Sequence, residues 1–170
     1  AVPPVRSADR SGSLAPTNQS ATTEDDSEEV PAEWPQQEDA SIASARLVLE
    51  RQLGASSIKD VRRDKLGWDI SCMIDGRPHY VEVKSTTKDE DSSPSFKVTK
   101  REKSKLEEYG PDYLVIFVCN INIKGGHSVK VIRGLHDASE QFNPTEYLVP
   151  MNVWKQYLDD RTGSFRVLSP

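Results

Sequence analysis

The chain has 170 residues, 35% of them hydrophobic, and a net charge of −5; that suits one globular domain plus a polar segment and gives no general electrostatic case for nucleic-acid or membrane binding. Two cysteines are too few for a disulfide scaffold or a zinc site and point to a reducing, intracellular compartment, cytoplasmic or nuclear. The longest apolar runs fall far short of the roughly 20 residues that cross a bilayer, no basic-then-apolar leader opens the chain, and the absent initiator Met is read as a processed chain or a piece of a longer one.

Residues 1–38 carry two basic side chains against eight acidic ones, a net −6 that leaves +1 for the remaining 132 residues. Rich in Pro, Ser, Thr, Asp and Glu, this segment buries too little apolar surface to offset chain entropy and is predicted to be a disordered acidic linker or tail. Trp34 marks an alternative, a partner-binding acidic motif. The folded domain is then 39–170.

From Asp39 the apolar residues Ile42, Ala45, Leu49 and Leu53 recur at helical spacing, with Asp39 or Ser41 as cap and Gly54 as stop. Glu50 lies beside this stripe, either as an ordinary exposed helix glutamate or as a further carboxylate for a site in the next element. Ser57 to Val61 reads as a short edge strand, and Arg62, Arg63 and Lys65 follow as a basic turn.

Gly67 to Lys84, GWDISCMIDGRPHYVEVK, reads as two alternating strands joined by Asp75-Gly76, a dipeptide that favours a two-residue hairpin turn. Placing Ile74 opposite Arg77 makes paired residue numbers sum to 151 and sets Asp69 against Glu82, with Lys84 on the same face as Glu82. Opposed carboxylates are unfavourable unless neutralised. A hard cation, Mg²⁺ or Mn²⁺, is commonly held by one or two carboxylates plus water and phosphate oxygens, and a lysine beside it can orient the attacking water. In this register Pro78 faces Met73 at a non-hydrogen-bonded position, and a third strand on its other side must stop short of it.

Ser85 to Ser95 is polar and aperiodic, a candidate mobile gating loop or an ordinary connection. Phe96 to Val98 resumes extended structure, and Thr99-Lys100-Arg101-Glu102 fits a capping box opening a helix that ends near Gly110-Pro111. Lys100, Arg101, Lys103 and Lys105 make its first turns basic, as a phosphate-binding helix start or as an exposed face. Tyr113 to Asn120 is a nearly unbroken apolar run, expected to be a central strand covered on both sides. Val129 to Ile132 should be another strand, reached by a turn at Gly125-Gly126, and Tyr147 to Val149 a short one before a helix over Asn152 to Tyr157.

This order of elements, with Asp69 and then Glu82-Val83-Lys84, resembles the PD-(D/E)XK nuclease superfamily, with Trp68 in place of the motif proline. More closely, GWDI, YVEVKST and FKVTKRE followed by YLVIFVCNI are similar to the domain at the carboxy terminus of the plant protein NO VEIN, over about residues 40–150. The resemblance implies an α/β (α+β) fold, a mixed central sheet with a β-hairpin core flanked by helices, restriction-endonuclease-like. It makes Asp69, Glu82 and the Val83 carbonyl metal ligands and Lys84 the catalytic lysine, while Phe96, Thr99 and Glu102 fall on a family motif and Thr99 and Glu102 become candidate accessory residues. Many relatives carry a glutamate near the start of the first helix, where this chain has Ser44 and Arg46.

Two functions follow as expectations. One is a Mg²⁺-dependent endonuclease acting on DNA, as part of a larger restriction or nucleic-acid-processing protein. The other is a non-cleaving module of the same fold that binds nucleic acid or protein. A third reading leaves Glu82 and Lys84 as a plain polar stripe, and oligomeric state is open in all three.

Overall fold

The computed structural model describes residues 34–121, 126–142, 147–158 and 164–167. Residues 1–33 of the tail predicted over 1–38, and Gly125 of the Gly125-Gly126 turn, lie outside them. The first helix, α1 (Trp34–Arg51), starts five residues before Asp39, so 34–38 belong to the helix and not to the tail. A proline at position 35 is compatible with this, because the first turn of a helix has no use for its missing N–H. Ser41 is inside α1, its hydroxyl donating to the Glu38 carbonyl, and does not cap it.

The central sheet takes β1 (Ser56–Asp60), β2 (Ile70–Ile74), β3 (Arg77–Thr86), β5 (Tyr113–Cys119), β6 (His127–Arg133) and β8 (Ser164–Val167), in the order β1-β2-β3-β5-β6-β8. A separate two-stranded sheet pairs β4 (Phe96–Lys97) with β7 (Leu148–Val149). The remaining helices are α2 (Lys100–Tyr109) and the single turn α3 (Met151–Trp154). Every strand contact in the main sheet is antiparallel except β3 with β5, so the architecture is mixed α/β. That parallel pair needs a crossover, and α2 supplies it.

The hairpin has the predicted register: Ile74↔Arg77, Met73↔Pro78, Cys72↔His79, Ser71↔Tyr80 and Ile70↔Val81. Asp75 and Gly76 both adopt positive φ, 51° and 75°, as the turn requires. On the far side β5 pairs with β3 only from Tyr80 onward, clear of Pro78. All seven residues of β5 are buried because apolar layers cover both faces. On one face α1 packs Ile42, Ala45, Val48 and Leu49 against Ile70, Val81, Leu114 and Ile116. On the other, Leu106 of α2 and Trp154 of α3 cover Tyr113, Val115, Phe117 and Ile132.

The segment after β3 makes several bonds to the rest of the domain. Asn120 and Ile121 donate their N–H groups to the Lys88 and Thr86 carbonyls, the Trp154 indole donates to the Pro94 carbonyl, and Glu90 accepts from Ser128 and pairs with the buried Lys130 of β6. Glu90 is held below the usual carboxylate range chiefly by its bond from Lys130. Both cysteines are free and buried, as their apolar strands imply.

Candidate active site

The regular hairpin ladder ends at Ile70↔Val81. The Asp69 N–H donates to the Val81 carbonyl at 2.9 Å instead of continuing to a pair with Glu82. Two residues of one strand therefore share one residue of the other, the pattern of a bulge, and a bulge re-aims the side chain it carries. Asp69 Oδ2 now accepts the N–H of Val83 at 2.9 Å. That N–H lies on the side of β3 where β2 has run out, so the carboxylate satisfies a donor that would otherwise be orphaned.

Glu82 and Lys84 pair with Val115 and Phe117 of β5 and so face α2, as period-two alternation requires. The Lys84 ammonium is 2.8 Å from Glu82 Oε1 and 2.6 Å from Glu102 Oε2. Glu102 is the third residue of α2, placed there by the predicted capping box: Thr99 Oγ1 accepts from the Glu102 N–H, and Glu102 Oε2 accepts from the Thr99 N–H at 3.0 Å. The hairpin and the start of α2 thus bring Asp69, Glu82, Lys84, Thr99 and Glu102 together.

Three carboxylates face one ammonium here, and burial makes the imbalance costly. Glu82, only 6% exposed, is pushed up to about 8 by that burial and by Asp69 and Glu102, against the pull of Lys84. Burial also raises Asp69, against the Val83 N–H and Lys84, with Glu102 and Glu38 adding to the rise. Burial acts to lower Lys84, but Glu82 and Glu102 outweigh it and hold the amine above its ordinary value. Such a site gains stability from an added positive charge or an added proton.

The cluster opens into a cavity of about 370 Å³ lined by Arg62, Lys65, Gly67, Trp68, Asp69, Glu82, Thr99, Arg101 and Glu102. The rim is basic. Arg101 donates to the Lys65 carbonyl at 2.8 Å, and Arg62 is clamped by Asp60, Glu38 and Asp39, which raise its guanidinium further. A Cβ at Gly67, whose φ is +100°, would sit 2.9 Å from Lys105 Cγ and 3.1 Å from Arg101 Cγ, so glycine is what lets α2 close over the pocket wall. Trp68 meets the rings of Tyr80 and Tyr109 edge-on, those two rings lie tilted against each other, and the Tyr113 hydroxyl donates to the Gly67 carbonyl.

The other nominated residues do not line that cavity. Lys103 and Lys105 are paired along α2 with Glu107 and Glu108. Lys100 is exposed at the helix start. Glu50 is exposed and does not line the pocket. Val83 enters through its N–H. Ser44, one of the positions where a first-helix glutamate was expected, donates to the Ala40 carbonyl and accepts from His127 Nε2 at 2.5 Å, a bond between helix and sheet. The acidic residue whose charge reaches Asp69 from α1 is Glu38. It precedes Ile42 by one helical turn on the same stripe, a signal concealed by assigning 34–38 to the tail.

Among the described residues, no three His, Cys, Asp or Glu side chains form a group able to hold a metal ion. Asp69 and Glu82 each keep one carboxylate oxygen outside the bonds given above, and both are charge-frustrated by burial. By its chemistry that donor set fits a hard cation bound by two carboxylates and otherwise by water, and it fits no all-protein cage.

A family model described as Protein NO VEIN, C-terminal matches residues 40–132. None of the curated proteins and none of the solved structures matches the chain significantly.

Proposed function

The chain belongs to the NO VEIN carboxy-terminal family, and from that premise we propose that its domain is a restriction-endonuclease-like phosphodiesterase that hydrolyses DNA with Mg²⁺ or Mn²⁺. The observation that carries the reading is that Asp69 and Glu82 line one pocket with Lys65 and Arg101, while Lys84 is bonded to Glu82 beside it. Asp69 and Glu82 would hold the cation, which supplies charge neutralisation at the phosphate and acidifies bound water. Lys65 and Arg101 place the backbone phosphates, contacts that orient DNA without reading its sequence. Lys84 directs an N–H to the attacking water or the developing phosphate charge, where a fixed donor acts most strongly because the site is half closed to solvent. The buried free thiols of Cys72 and Cys119, both pushed up to about 11 by burial, suit a reducing cytoplasmic or nuclear setting.

The second reading, a module of the same fold that binds without cutting, is favoured by one observation: Lys84 is already engaged by two carboxylates. Incubating wild type, Asp69→Ala and Lys84→Ala with supercoiled, linear and single-stranded DNA and with RNA, in Mg²⁺ or Mn²⁺, separates the two. Nicking or cutting of DNA by wild type alone supports the phosphodiesterase. Salt-sensitive binding without cleavage in either metal selects the binding module.

A further inference from the structure

We propose that Glu102 is a positioning residue that fixes the direction of the Lys84 ammonium, so that the capping box of α2 is part of the site as well as the start of a helix; this rests on the phosphodiesterase reading. A glutamate at the third position of a capping box needs only to reach back to the N-cap amide, and such residues ordinarily sit in water. Here the side chain is 14% exposed, and the same oxygen, Oε2, accepts from the Thr99 N–H at 3.0 Å and from Lys84 Nζ at 2.6 Å.

An ammonium has three hydrogens in a tetrahedral arrangement. Glu82 Oε1 takes one at 2.8 Å and Glu102 Oε2 takes another. The two bonds come from different elements, β3 and α2, so together they determine where the third hydrogen points. With Glu82 alone, Lys84 would rotate about a single anchor, and its long, flexible side chain would sample several directions. A donor held in one direction before substrate arrives costs no reorganisation during reaction. The cap amide in turn holds Glu102, because the oxygen that grips Lys84 is bonded to the helix end at the same time.

Two double-mutant cycles on the unfolding equilibrium of the full chain test this. Glu102→Ala crossed with Lys84→Met is expected to be non-additive by roughly five-fold or more in the unfolding constant, as for contacting charged partners. Thr99→Ala crossed with Lys84→Met removes the other half of the capping box and is expected to be additive within about two-fold. Additivity in both cycles, or equal coupling in both, overturns the proposal. In turnover, Glu102→Ala should lower kcat by about ten-fold or more with little change in KM, and Glu102→Gln, whose carbonyl oxygen can accept both bonds, should restore most of it. Unchanged kcat per folded molecule in Glu102→Ala overturns the positioning role. If wild type cleaves no nucleic acid, the phosphodiesterase reading falls, while the stability cycles still decide whether Glu102 holds Lys84.

Discussion

Replacing Glu82 by Gln should reverse part of the pH dependence of stability in metal-free protein. The folded carboxyl titrates at about 8 against an ordinary 4.5, so folding favours its protonated form. The contribution is full below pH 4.5 and is lost as pH rises through about 8, the direction expected when the native state binds the extra proton. Raising the carboxyl from 4.5 to about 8, at 1.36 kcal/mol per pH unit, sets a ceiling of about 5 kcal/mol, and roughly half of that is expected because relaxation and water entry around the ionised carboxylate reduce the cost of burying it. Asp69, also raised, acts with the same sign at the acidic end of this window. Glutamine keeps an acceptor for Lys84 and does not titrate. Melting both proteins in chelator at pH 5 and pH 9 should therefore show the wild type losing about 5–10 °C relative to Glu82→Gln, at about 4 °C per kcal/mol for a domain of this size. Parallel pH profiles would refute the claim that Glu82 is a frustrated buried carboxyl.

Further outcomes follow from the scaffold. Glu90→Gln removes the charge that holds Lys130 and should speed hydrogen exchange at the Asn120 and Ile121 amides, which bond the Lys88 and Thr86 carbonyls, by roughly ten-fold; unchanged exchange there would mean that Glu90 does not pin the segment after β3. Gly76→Ala should cost about 1–2 kcal/mol in urea unfolding from positive φ alone, since no atom lies within 4 Å of the new Cβ. No loss would mean that the hairpin does not depend on its left-handed turn.

The hairpin was legible because two local rules agree: Asp75-Gly76 selects the turn, and strict alternation admits one register. From that register came the shared face of Glu82 and Lys84, the position of Pro78, and the limit on β5. The burial of β5 was likewise written in its apolar run. What escaped the sequence was non-local or irregular. The bulge at Asp69 depends on where β2 ends against Val81, and period-two counting cannot see it. Glu102 was legible as a cap, but its second bond needs the crossover that lays α2 over β3. Glu38 was lost with the helix boundary, because Pro35 and the acidic stretch before it look like a continuation of the tail. Glu50 is the exposed helix glutamate that one of its two readings made it, at the other end of α1 from Glu38. The 3₁₀ turns over residues 135–141 and the strand β8 carried no periodic signal that distinguished them.

A calorimetric titration of Mg²⁺ and Mn²⁺ into wild type and Asp69→Ala is the measurement to make, at pH 7, where burial still favours a proton on Glu82 in the metal-free protein. Wild type should bind saturably with release of protons, since a bound cation displaces the proton that Glu82 holds, and Asp69→Ala should lose that binding. Equal binding by both proteins, or heat in neither, would contradict a cation site at Asp69 and Glu82.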